Sequence, residues 1–136
     1  MRFVLTVILT AMLSACLAER APLVATDIVV PKPRPGTQMT AGYLTLRNNT
    51  TQTITITQVS SPEFESVEMH ESVLEDGVAR MRPLRDLTIR AGQSVQLEPG
   101  GKHLMLTRPV GEIEATTLEF YNSEAVMLTV NVTLTD

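Results

Sequence analysis

The chain has 136 residues, no tryptophan, two tyrosines, three phenylalanines and a single cysteine, Cys16. One cysteine closes no internal disulfide, so nothing covalent staples the fold and an apolar core must carry it. The shortage also argues against a blue-copper electron-transfer centre. Such a centre needs a Cys thiolate beside two imidazoles, and here Cys16 would have to fold back to supply it. Basic charge is scarce: 11 Lys and Arg stand against 15 Asp and Glu, for a net charge of −4. No excess is left to neutralise a phosphate backbone, so nucleic acid is not an expected partner. Arg80, Arg82, Arg85 and Arg90 do cluster, but Glu63, Glu65, Glu68, Glu71, Glu75 and Asp76 precede them. Interspersed signs of this kind read as a solvated face. No phosphate-binding loop or activated nucleophile is evident, and Glu68 beside His70 is the only same-face acid–imidazole pair in its strand. A non-enzymatic role is therefore expected.

Long hydrophobic runs are also missing, apart from Phe3–Met12 at the N-terminus. That run is too short for a comfortable membrane span. With Arg2 in front of it, it has the form of a secretory leader. It ends in Leu13-Ser14-Ala15-Cys16, which resembles a bacterial lipobox. The expected organisation is a lipoprotein-type signal peptide over 1–15, a lipidated Cys16, a tether over 16–22 and one domain over 23–136. Cleavage after Ala18 is the alternative. Either route exports the domain, and lipidation would anchor it to a membrane on the periplasmic side.

What remains is rich in Thr and Val, punctuated by Gly and Pro, and alternating. AGYLTLRN (41–48) sets Leu44 and Leu46 against Tyr43 and Thr45, and QTITITQV (52–59) sets Ile54 and Ile56 against threonines. SVQLEP (94–99) and AVMLTVNVTL (125–134) repeat the habit. Period-two patterning predicts half-buried strands, and several of them predict an all-β antiparallel sandwich or barrel in a single domain. PKPRPG (31–36) predicts a loop, because its prolines cannot serve a central ladder.

Histidine is scarce as well, and both copies are informative. In SVEMHESVLEDGVARMRPL (66–84), Asp76-Gly77 predicts a two-residue hairpin turn with both central residues at positive φ. That turn places Glu75 opposite Val78, Leu74 opposite Ala79 and Ser72 opposite Met81. His70 and Met81 then become diagonal cross-strand neighbours, about 7–8 Å apart at Cα. A three-residue turn would break this register. Val67 and Met69 take the core side of the same strand. In PGGKHLML (99–106), Leu104 and Leu106 turn inward, which sends His103 and Met105 together to the other face.

Taken singly, a strand histidine is usually solvated or satisfied in a core, and a strand methionine usually packs. Met39 and Met127 are read as packing and Met69 as core. The coincidence of two imidazoles and two thioethers on non-core faces points elsewhere. Thioether sulfur selects Cu(I) over hard ions, and zinc would ask for thiolate or more imidazole. Acid is expected to weaken such a site, since a protonated ring has no lone pair to give.

The four residues also carry a resemblance. His70, ten residues, Met81, twenty-one residues, His103, one residue, Met105 is the spacing of the PCuAC-type periplasmic copper chaperones. AGYLTLRN, GVARMRPL and LEPGGKHLML resemble that family's strands, over roughly 23–134. The resemblance implies a cupredoxin-like domain holding one Cu(I) at a surface site made of His70, Met81, His103 and Met105. It implies a monomeric carrier that passes copper to an acceptor, either a cytochrome oxidase copper site or a thioredoxin-like assembly factor. Copper storage or resistance is an alternative, and so is a metal-free β-sandwich lipoprotein that docks other proteins. Three departures stand out. Many relatives have a tryptophan in the first strand, the stretch TRPVGEIEATT (107–117) is shorter than the usual connection, and no His/Met-rich tail follows, so a single site is expected.

Overall fold

The computed structural model describes residues 20–136. The leader, the lipobox Leu13–Cys16 and most of the tether therefore lie outside the described residues. Within them the chain forms eleven strands and no helix. These are β1 (Leu23–Val29), β2 (Met39–Asn48), β3 (Ile54–Ile56), β4 (Gln58–Ser60), β5 (Phe64–Glu75), β6 (Val78–Pro83), β7 (Leu87–Ile89), β8 (Ser94–Leu97), β9 (Lys102–Pro109), β10 (Ala115–Tyr121) and β11 (Val126–Thr133).

The largest sheet runs β1-β2-β9-β5-β6, with β8 also paired to β2. A second sheet runs β11-β10-β4, and β3 pairs with β7. Every strand pairing is antiparallel. The expected all-β antiparallel sandwich is what forms. Between the layers, Leu44, Leu46, Leu104, Leu106 and Met69 from the large sheet meet Leu118, Phe120, Val132, Val59, Ile56 and Ile89. The alternation read from the sequence decides this: Leu44 and Leu46 are buried while Tyr43 and Thr45 are only half-buried. Gly42 pairs with Leu104 in the β2–β9 ladder, and an added Cβ there would lie 3.2 Å from Leu106 Cδ1. The packing of Leu104 and Leu106 over β2 is thus tied to a residue without a side chain.

Three expectations need correction. The stretch 52–59 is not one strand, because it breaks at Thr57. Ile54–Ile56 pairs with β7, whereas Gln58–Ser60 pairs with β10. The segment 107–117 is mostly not a connection, since β9 runs to Pro109 and β10 starts at Ala115. Met39 is not packing: it is 54% exposed at the start of β2. Met127, in contrast, does pack against the core.

Asn48, fully buried at the end of β2, shows how the turn after it is held. Its side-chain amide donates to the carbonyls of Gln52 and Ile89, and its oxygen accepts from the backbone N–H and hydroxyl of Thr50. A buried amide with both ends satisfied costs nothing in orphaned polarity.

Candidate metal centre

The Asp76-Gly77 turn forms as expected, with φ of 50° and 76° at its two residues. Its register sets Glu75 opposite Val78, Leu74 opposite Ala79 and Ser72 opposite Met81. His70 lies opposite Pro83, so Met81 is its diagonal neighbour. On its other side β5 pairs with β9, and there His70 falls directly opposite His103, and Glu68 opposite Met105. Met105 is therefore a second diagonal neighbour of His70. Directly opposed residues share a sheet face. His70, Met81, His103 and Met105 are thus gathered on one face of three adjacent strands, around His70. The core-facing Leu104, Leu106 and Met69 occupy the other face.

The two imidazole centroids are 5.9 Å apart, with their planes at 67°. They are neither stacked nor in direct hydrogen-bonding contact. Each ring is tied by one nitrogen. Nδ1 of His103 lies 3.1 Å from the Gly101 carbonyl oxygen. A carbonyl only accepts, so this nitrogen carries the proton and Nε2 keeps the lone pair. Nε2 of His70 lies 2.9 Å from Oε2 of Glu68. With an ionised carboxylate as acceptor the proton sits on Nε2, and Nδ1 keeps the lone pair. Those two lone-pair nitrogens, His70 Nδ1 and His103 Nε2, are buried and have no partner. An orphaned buried acceptor costs free energy, and it is rare in a native interior. Two of them, on opposed rings flanked by two thioethers, fit a ligand that accepts electron pairs.

The site is layered by exposure. His103 is only 4% exposed and the His70 side chain 16% exposed. Met105 is half-buried, and Met81 on β6 is 59% exposed. Alternation turned His103 away from the core leucines without bringing it to the surface, which corrects the picture of an outward-facing imidazole. The open side of the set is a thioether. Among the described residues no three His, Cys, Asp or Glu side chains converge on a metal position. A set of three or four protein donors here has to draw on the methionine sulfurs, and such a donor set is soft.

Sequence reasoning brought His70 to Met81 and His103 to Met105. It did not bring the two pairs together, since nothing local specifies that β5 lies beside β9. It did place Glu68 on the same face as His70, but weighed the pair only as a catalytic base and not as the hydrogen bond that orients the ring. The arginine cluster behaves as a solvated face: Arg80 and Arg82 both pair with Glu75 near the hairpin tip.

A profile of the family described as "Putative lipoprotein LpqE-like" matches residues 23–133. The chain belongs to the LpqE-like family. Within a curated relative, the "Putative lipoprotein Lxx21020" of Leifsonia xyli subsp. xyli, it is 31% identical over 81 residues. That match takes in 59% of this chain and 49% of the relative, so the chain spans about half the length of that protein. Among solved structures, the LpqE-like domain is similar to the "Copper-bound PCuAC domain from PmoF2". The TM-score is 0.67 at 16% identity, over 83% of this chain and 92% of that one. It is also similar to apo-DR1885 from Deinococcus radiodurans, with a TM-score of 0.62 at 24% identity over 98% and 93%. The apo PCuAC domain from PmoF1 gives 0.64 at 18% identity over 84% and 93%. The resemblance drawn from the four-residue spacing is thus borne out, and the LpqE-like domain has the PCuAC fold.

Proposed function

We propose that this chain is an extracytoplasmic copper(I) chaperone, holding one Cu(I) between His70, Met81, His103 and Met105. The observation that carries the reading is the pair of buried, unpartnered ring nitrogens, His70 Nδ1 and His103 Nε2, set on one sheet face with two thioethers. The copper named for the PmoF2 domain of the same fold supports it.

Copper is cargo here, so the site has to hold it and let it go. Glu68 and Gly101 fix the two tautomers in advance, which leaves little reorganisation to be made on binding. Thioethers add no charge, so the ion keeps its positive charge and stays attractive to an acceptor's thiolate. They also favour Cu(I) over Cu(II), which suppresses redox cycling. Met81, the exposed ligand, is the one an incoming group can displace first without any part of the core opening. The destination carried over from the PCuAC resemblance is cytochrome oxidase assembly, directly or through a thioredoxin-like factor. Lipidation at Cys16 would hold the carrier at a periplasmic membrane surface, in keeping with the description of its family. A metal-free docking domain is the second reading, favoured by β6, whose residues are all exposed and which ends its sheet among the described residues.

The test is an anaerobic Cu(I) titration against a competing chelator, on the wild type and the four single alanine variants. One equivalent bound tightly by the wild type, with each variant weaker, is the expected result. No uptake by the wild type, or four variants indistinguishable from it, would exclude the chaperone reading.

A further inference from the structure

The sheet face that gathers the four ligands does not stop at β9. On β2, Met39 pairs with Thr107 and Ala41 pairs with Met105. Met39 therefore lies on the same face as Met105, one diagonal step away, about 7–8 Å at Cα and within reach of two flexible side chains. Of the five methionines among the described residues, Met69 and Met127 are spent on the core. The other three cross this face in order, Met39 on β2, Met105 on β9 and Met81 beyond His70 on β6. The two end members are the exposed ones, at 54% and 59%. Met39 also borders a surface groove between the 31–37 loop and β2, lined by Pro31, Lys32, Arg34, Ala41 and Tyr43. An isolated exposed methionine needs no explanation. One in line with two thioethers and two orphaned imidazole nitrogens has a use.

We infer that Met39 is a relay ligand: a thioether outside the resident set that takes Cu(I) from, or passes it to, Met105 on the β2 side. This rests on the copper(I) reading above. The step is a ligand exchange at an unchanged oxidation state, in which a Met39 sulfur–copper bond forms as a bond to a resident ligand breaks, and no electron or proton moves. It gives the site two approaches, Met81 from the hairpin edge and Met39 from the groove. A donor and an acceptor can then engage opposite ends.

The experiment uses the mature chain with methyl-labelled methionine. Silver(I) serves as a redox-inert probe for NMR, and Cu(I) transfer to a chromogenic chelator is followed by stopped flow. In the wild type, the Met81 and Met105 methyl signals should shift with the first equivalent of silver, and the Met39 signal with silver added beyond it. The Met69 and Met127 signals should stay still. Met39→Leu, a change at an exposed position, should retain wild-type equilibrium affinity. It should slow transfer by about tenfold, equivalent to ~1.4 kcal/mol on the barrier. A Met39 signal indifferent to excess silver, or a Met39→Leu transfer rate equal to wild type, overturns the relay. If instead the Met81 and Met105 signals also ignore the first equivalent, the chaperone reading itself is wrong, and that outcome is distinct from the first two.

Discussion

At the scale of single residues, the site depends on which ring nitrogen carries a proton. Glu68 is exposed and would pass for an ordinary surface acid, yet its Oε2 fixes the His70 proton on Nε2. That leaves Nδ1 as the donor, whereas the Gly101 carbonyl leaves Nε2 as the donor of His103. One ring is thus expected to bind through each kind of nitrogen. Partners behind a metal-bound histidine are typically worth about 10–100-fold in metal affinity, so Glu68→Ala should weaken Cu(I) binding by about that factor. Glu68→Gln retains a carbonyl acceptor and should recover most of the loss. Competition titration of the two variants decides it, and equal losses in both would mean that the carboxylate's charge matters rather than its hydrogen bond.

At the scale of strands, the four proposed ligands stand on elements whose other faces differ in their duty. On β9 the duty is the core: Leu104 and Leu106 are fully buried beside His103 and Met105. On β6 there is none, since the whole strand is exposed. The two strands should therefore answer differently to truncation. Leu106→Ala should cost about 2–5 kcal/mol in chemical denaturation, from lost burial and the cavity left behind. Met81→Ala should stay within about 0.5 kcal/mol of wild type in the metal-free protein, while weakening its hold on Cu(I). The same contrast explains what the sequence made legible. The β5–β6 register followed from two residues, Asp76 and Gly77, because a tight turn fixes pairing locally. The inward direction of Leu104 and Leu106 followed from alternation alone. The pairing of β5 with β9 was not legible, because the two strands are joined only through the intervening chain and nothing in either dictates the neighbour. The break at Thr57 was hidden for a related reason. Thr57 alternates as well as its neighbours do, and the change of sheet shows only in backbone pairing: β3 bonds to β7, while the Thr57 N–H already donates to the Tyr121 carbonyl.

At the scale of the whole domain, no disulfide among the described residues holds the layers together, and one carboxylate helps to clip them. Glu63, just before β5, reaches β10 with Oε2. There it accepts from the Thr117 backbone N–H at 2.9 Å and the Thr116 hydroxyl at 3.2 Å, and it also accepts from the Ser61 hydroxyl at 3.0 Å. Partial burial pushes its pKa upward, but the bonds from Thr117, Ser61 and Thr116 outweigh that and hold it below its ordinary 4.5. A carboxyl depressed in the folded state contributes stability that is fully present above its unfolded value. That contribution drains as pH falls from about 4.5 through the lower folded value. The melting temperature of the metal-free protein should therefore drop on acidification below about pH 4.5, more steeply in wild type than in Glu63→Gln. Parallel acid limbs would show that this clip contributes nothing. Binding of the proposed Cu(I) cargo would act on the same scale, because an ion that binds only the folded chain must raise its melting temperature. X-ray absorption on the anaerobic, Cu(I)-loaded domain tests the donor set most directly. Two sulfur and two nitrogen neighbours around one copper are expected, whereas a copper without sulfur neighbours, or one whose sulfur shell survives replacement of both Met81 and Met105, would contradict the His70–Met81–His103–Met105 site.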